Sequence, residues 1–309
     1  MPLVDTADQG PTITFSAADH ALYDQYYVLG ATIAVMPTGS RMSERDALEA
    51  MLVISASNYA DAVSTWAYGS RSAFLRATRE WLAANGLTRT TIVEPTGIDP
   101  RNVSTPTDLI ALGKIAMANP VIAQIVGTPV LDVPPIPAGE NTNELLGLHG
   151  VTGIKTGTLE ESGANLLFSA NVDVGLPHPL QVVGVVLGSI ADDALNREVI
   201  LLLESIQAGF HTVALGAKGD QLGTYTTAWG ESARIVLGET VSTFVWSDTP
   251  ISATFEADAL STGSSGDVVG TVTWTVGSET LTAPLVLDGT IRPPDEWWRL
   301  THPQELGGE

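Results

Sequence analysis

Residues 150–170 read GVTGIKTGTLEESGANLLFSA, and the fold of the whole chain turns on how this stretch is interpreted. Apolar Val151 and Ile154 lead into Lys155-Thr156-Gly157-Thr158, and a second apolar run, Leu166-Leu167-Phe168, follows Gly163. Two strand-like segments joined by a polar, glycine-bearing connection predict a β-hairpin. Its first strand offers an ammonium, a hydroxyl and a residue without a side chain in succession. Lys155 supplies a point charge suited to a carboxylate, and Thr156 a hydroxyl donor. Gly157 leaves room for a ligand to lie against the strand, because an isolated strand glycine often marks close backbone approach. Thr158 then exposes a backbone N–H. Taken by itself the pattern equally describes a hairpin whose lysine faces water, so the surrounding sequence has to decide.

Working outward, 309 residues are ample for a large core and favour two domains over one. Hydrophobic residues at 44% and charged ones at 16% describe an ordinary globular protein. Acidic residues outnumber basic ones 35 to 14, for a formal charge of −21, which argues against nucleic acid and anionic membrane surfaces as partners, since both need a basic face. Without cysteine, disulfides, thiol catalysis and Cys-ligated metal are excluded. His20, His149, His178, His211 and His302 lie far apart, show no metal-ligand spacing and read as structural. No metal or other cofactor is expected. The segment Met1-Pro2-Leu3-Val4-Asp5 has the features of no signal peptide, and no run reaches the ~18 apolar residues of a membrane span.

Ahead of the hairpin the signals are helical. PTITF at 11–15 predicts a short strand, and Ser16 with Asp19 three residues on predicts a capped helix with Ala21, Leu22, Tyr26 and Tyr27 inward. Ser43 with Asp46 repeats that start, followed by the stripe Ala47, Leu48, Met51 and Leu52. Further helices are predicted from Tyr59 to Tyr68, from Ser72 to Asn85 (closed by Asn85-Gly86), from Thr105 to Asn119, and over 121–126. Residues 129–139 are too rich in proline for a central strand. Gln181 to Leu187 predicts a buried strand and Asn196 to Phe210 a closing apolar helix. Beyond Gly216-Ala217-Lys218 the chain turns to Thr- and Val-rich segments at 223–229, 233–246, 251–258, 268–276 and 280–287. The sequence therefore divides into an α+β domain over 1–217 and a small all-β domain over 218–309. Trp297 and Trp298 are expected to pack on the latter.

Several segments in this order resemble the D-alanyl-D-alanine carboxypeptidases, the low-molecular-weight penicillin-binding proteins, in their actinobacterial style. They are SASNYADA at 55–62, TGID at 96–99, VSTPTDL at 103–109, NTNELLG at 141–147 and GIKTGT at 153–158. The resemblance covers roughly residues 10–215 and implies a DD-peptidase/β-lactamase-like α+β fold. It also implies a serine-type acyl-enzyme mechanism on the D-Ala-D-Ala end of peptidoglycan stem peptides, with β-lactams as inhibitors and no cofactor.

Such enzymes carry Ser-x-x-Lys, Ser-x-Asn and Lys-Thr-Gly motifs. The third is intact at Lys155-Thr156-Gly157. The second maps to Ser55-Ala56-Ser57, with serine where asparagine is usual and Asn58 next door. The first is missing, for the three lysines, Lys114, Lys155 and Lys218, are preceded at the third position by Ala111, Thr152 and Leu215. By resemblance, Ser55 and Lys155 are the catalytic candidates. Ser57, Asn58, Thr156, Gly157 and Thr158 are the substrate-binding ones.

The missing motif leads us to expect an N-terminally truncated chain. The absent part would hold the nucleophile, the first strands of the sheet and a signal or anchor. Membrane contact would then come only through that part, and the full-length protein would be extracellular or associated with the cell wall or membrane. In such a piece the hairpin and the 181–187 strand would have partners on one side only, and the helices at 45–54 and 196–210 would lose cover. A non-catalytic module that binds or scaffolds peptidoglycan is the alternative. A β-lactamase is disfavoured because no glutamate stands in a convincing deacylating position and the β domain is extra.

Overall fold

The computed structural model describes residues 3–304. Two compact units are present, Met1–Gln207 and Ala208–Glu309.

The first unit begins with β1 (Thr12–Thr14), α1 (Ala17–Val28), β2 (Arg41–Ser43) and α2 (Glu44–Leu52). Ser16 and Ser43 both close full capping boxes, with Asp19 and Asp46 returning the bond. α3 (Ser57–Tyr68), α4 (Arg71–Ala84), α5 (Pro106–Ala118) and α6 (Pro120–Val126) follow. α4 ends at Asn85, with Gly86 in the left-handed region (φ 73°). Two-residue strands β3 (Val130–Leu131) and β4 (Gly139–Glu140) come next, as the prolines between them dictate. β5 (Val151–Leu159), β6 (Gly163–Val172) and β7 (Leu180–Ser189) complete the unit with most of α7 (Asp192–Gly209).

One apolar cluster organises the helical part of this unit. Ile13, Phe15, Met36, Tyr59, Ile125 and Leu131 are buried together between β1 and the helices α2, α3 and α6. The antiparallel sheet β5-β6-β7 buries Ile154, Leu166 and Phe168, and its pairings set Lys155 opposite Leu167 and Phe168 opposite Gly184. α5 packs on β6 and β7 closely enough that a Cβ at Gly113 would stand 2.7 Å from the Val183 side chain. α1 buries only Tyr26, and Tyr27 is 69% exposed, so the expected inward face is narrower than four residues.

The exposure anticipated for two helices is found in one of them. Ala47 and Ala50 of α2 are fully buried, because β1, β2, α3 and α6 enclose that helix. α7 buries Leu195, Val199 and Leu203 at four-residue spacing but leaves Leu201 64% and Leu202 39% exposed. Ile190, just before it, is 95% exposed. β5 and β7 each pair only with β6 among the described residues. Apolar side chains beside open strand edges are adhesive. The 309-residue chain is accordingly expected to enhance the fluorescence of a hydrophobic dye while retaining a native near-ultraviolet circular dichroism signal. An unaltered dye spectrum would show that these groups form no continuous patch.

The second unit is built from β8 (Phe210–Gly216), β9 (Gln221–Thr226), β10 (Ser232–Leu237), β11 (Val241–Trp246), β12 (Ile251–Ala257), β13 (Val268–Val276), β14 (Glu279–Asp288) and α8 (Glu296–Thr301). A five-stranded antiparallel sheet, β12-β13-β14-β10-β9, accompanies the two-stranded β11-β8. Ile235, Leu237, Val272, Trp274, Leu285 and Leu287 lie in its core. The predicted strand at 233–246 is two strands, interrupted at Gly238, where a Cβ would stand 3.0 Å from the Pro284 carbonyl oxygen. Phe210–Gly216 pairs with β11 and so is strand, which brings the division of the chain forward of the composition break. Trp298 meets Trp229 edge-on at 5.7 Å and stacks on His302, whereas Trp297 is 75% exposed, so one tryptophan packs as expected and the other does not.

Candidate active site

In the first unit, the start of α3, the edge of β5 and the loop 94–100 surround one cavity of about 950 Å³. Ser55 and Ser57 line it from the helical side; Lys155, Thr156, Gly157 and Thr158 line it from the sheet. Six of the seven residues singled out from sequence thus meet around a single space.

Ser55 occupies the junction of α2 and α3 with φ 62°, a left-handed conformation uncommon outside glycine. Backbone bonds from Ala56 N to Ala50 O (3.1 Å) and from Ser57 N to Thr32 O (2.8 Å) hold the junction in place. Ser57 is the first residue of α3 and is buried. Asn58 departs from expectation. It is fully buried, with Oδ1 accepting from Ala34 N (3.1 Å) and Nδ2 donating to Ala34 O (2.8 Å). Both ends of the amide are engaged in tying α3 to the 31–36 segment, and Asn58 is not among the cavity-lining residues. One position along a helix turns a side chain by about a quarter of a circle, which separates Asn58 from Ser57.

On β5, the Lys155 ammonium donates to the Thr156 carbonyl oxygen (3.2 Å). The residue as a whole is half-buried. Its charged end lies deep enough that desolvation lowers the pKa from 10.5 to about 8. Thr156 Oγ1 lies 2.7 Å from Thr142 Oγ1, and Thr158 Oγ1 donates to Asp192 Oδ1 (2.9 Å). A Cβ at Gly157 would meet nothing within 4 Å, so the strand at that point borders open space, as close approach by a ligand requires.

The remaining wall rests on groups that the motifs did not single out. Glu94 is 5% exposed. Its Oε2 accepts from Thr96 N (2.7 Å) and Thr96 Oγ1 (2.5 Å), and its Oε1 from Gly97 N (2.6 Å) and Asn102 Nδ2 (2.5 Å). One carboxylate therefore shapes the turn that presents Thr96 to Asp99 to the cavity. A signal was available, since a carboxylate two residues before a Thr-Gly pair is turn chemistry in which the side chain caps the following N–H groups. Tyr26 donates to Asp61 Oδ2 (2.7 Å), and Arg71, at the start of α4, reaches toward Asp61 and Glu94. At the rim, Arg101 donates to Asp99 and holds its carboxyl at a pKa of about 2.

Fold and cleft together define an α+β protein in which a helical layer faces one edge of an antiparallel sheet across a polar groove. Residues 11–189 match the D-alanyl-D-alanine carboxypeptidase family, and the chain belongs to it. A D-alanyl-D-alanine endopeptidase of Pseudomonas aeruginosa is 32% identical over 142 residues, 44% of this chain and 46% of that protein. The chain spans about half the length of the curated relatives it matches. Among solved structures, penicillin binding protein 6B of Escherichia coli shares the fold with a TM-score of 0.63 at 21% identity, over 90% of this chain and 80% of that one. A mutant of the Streptomyces K15 DD-transpeptidase is 27% identical with a TM-score of 0.56, over 64% and 79%.

Proposed function

We propose that the chain is the peptide-binding part of a serine-type D-Ala-D-Ala carboxypeptidase that acts on peptidoglycan stem peptides outside the cytoplasm. The observation that carries this reading is the meeting of Ser55, Lys155 and Thr156 around one cavity beside an unobstructed Gly157. A peptide laid along β5 would present its terminal carboxylate to Thr156 and the Lys155 ammonium. In the reaction, a serine oxygen adds to the carbonyl between the two D-alanines, and the tetrahedral centre collapses to an ester. The proton lost by the attacking serine passes to the departing amine by way of the Ser55 hydroxyl, which lines the same cavity as Lys155. Water then adds to the ester and releases the shortened peptide and the serine. The Thr158 N–H would supply half of an oxyanion hole, a donor of a kind worth ~2.7–4 kcal/mol of barrier.

The nucleophile for this chemistry is not found in the sequence, in which no lysine follows a serine by three residues. A chain of these 309 residues is therefore expected to bind a D-Ala-D-Ala peptide reversibly and to form no covalent adduct with a fluorescent penicillin. Calorimetry checks the first, and a labelled band on a denaturing gel would refute the second. A non-catalytic peptidoglycan-binding module is the second reading, favoured by the same missing motif. The enzyme reading requires a Ser-x-x-Lys from outside these residues, and reading the gene upstream of Met1 tests for it.

A further inference from the structure

Two basic side chains line the cavity, Lys155 on the sheet side and Arg71 on the helical side. Lys155 is accounted for by the terminal carboxylate of the ligand. Arg71 is not. It is the first residue of α4, after the N-cap Ser70, and its side chain is 42% exposed. The nitrogen Nη1 lies 3.7 Å from Asp61 Oδ2, and Nη2 lies 3.8 Å from Glu94 Oε2. Those separations permit charge attraction but exceed a hydrogen bond. Both carboxylates are committed elsewhere, that of Asp61 to the Tyr26 hydroxyl and that of Glu94 to the 96–102 turn. Among the described residues the guanidinium makes no hydrogen bond, although it is steered into place by an anion on either side.

A guanidinium so held keeps its five donors for whatever enters. Water satisfies them while the cavity is open. A ligand that displaces this water must offer acceptors in return, or the donors are left unpaired at a cost. Their planar fork matches a carboxylate, which can accept two parallel bonds. Resting on the reading of the cavity as a D-Ala-D-Ala peptide site, we propose that Arg71 is a specificity-determining residue that binds a second carboxylate, on the acyl side of the ligand. The preferred substrate is thus a peptide with two free carboxylates, a terminal one at Lys155 and Thr156 and another upstream at Arg71. Asp61 and Glu94 together carry more charge than the guanidinium, so the preference comes from the two parallel bonds of the planar fork and not from net charge, which limits it to roughly tenfold over a neutral acceptor, ~1.4 kcal/mol.

The test compares three synthetic N-acetylated peptides by isothermal titration calorimetry on the 309-residue chain. The first ends in D-Ala-D-Ala and carries a glutamate upstream, the second replaces that glutamate by glutamine, and the third has the glutamate but an amidated C-terminus. The glutamate peptide is expected to bind about tenfold more tightly than the glutamine peptide. In Arg71→Gln that ratio should fall to one, while Arg71→Lys, which keeps the charge and loses the fork, should retain part of it. The wild-type comparison requires no variant and so stands even if Arg71→Gln fails to fold. Equal affinity of the first two peptides, with the amidated third weaker, would overturn the role of Arg71 and leave the peptide-site reading in place. Binding of none of them, or indifference to the C-terminal amide, would overturn both.

Discussion

Lys155→Ala is expected to weaken binding of a peptide ending in D-Ala-D-Ala about 100-fold and to leave the fold unchanged. Removing one member of a desolvated charge pair typically costs ~2–5 kcal/mol, and the side chain makes one bond to the protein, to the Thr156 carbonyl, which water can replace. The pH profile should distinguish this charge effect from loss of shape. Desolvation sets the Lys155 pKa at about 8, below its ordinary 10.5. The cation that attracts a carboxylate is therefore present below pH 8 and is lost as the pH rises through it. A bound carboxylate favours the proton and raises that pKa, so wild-type affinity should be level up to about pH 7. Above pH 8 it should fall by as much as tenfold per unit until the pKa of the complex is passed. The C-terminally amidated peptide should show neither the slope nor sensitivity to Lys155→Ala. A flat profile from pH 6 to 10 for the free-acid peptide would mean that Lys155 faces water and takes no part.

Glu94→Ala is expected to be the most destabilising single change in the wall of the cavity. The side chain, itself 5% exposed, accepts from Thr96 N, Thr96 Oγ1, Gly97 N and Asn102 Nδ2, and its deletion leaves several of these donors, most of them half-buried, without a partner. Each buried group left unsatisfied costs ~1–3 kcal/mol. Water admitted to the gap would recover some of this, so the loss is put at about 3–4 kcal/mol out of a typical ~5–15. Arg71 would also keep only Asp61 beside it. Thermal unfolding should move down by several degrees, with amide exchange at Thr96 and Gly97 accelerating far more than at Phe168. Glu94→Gln, which retains acceptors but brings an N–H to a site that needs none, should fall between the two. An unshifted melting transition in Glu94→Ala would show that the turn is fixed by its own backbone.

Where a signal was local, it was legible. The capping serines Ser16 and Ser43 predict their helix starts because both partners lie within three residues. The hairpin around Lys155-Thr156-Gly157 follows from two apolar runs and their polar link. Tertiary direction was harder to read. Asn58, next to Ser57, reads from the resemblance as a ligand group, but its amide is turned by the helix onto Ala34. Phe210–Gly216 continues an apolar helix in sequence and is a strand because β11 supplies its partner. Arg71 gave no signal, since its significance depends on Asp61 and Glu94 arriving on either side of it.

The left-handed backbone of Ser55 has a consequence for anyone engineering this protein. A side chain at φ 62° costs roughly 1–2 kcal/mol that glycine would not incur. Ser55→Gly should therefore raise the melting temperature, and it would also delete a hydroxyl that lines the cavity. Selection for heat tolerance alone would drift toward glycine here, and selection for occupancy of the cavity would test whether the serine is held. Thermostabilising libraries built on this scaffold should accordingly leave residue 55 untouched and seek their gains in the second unit.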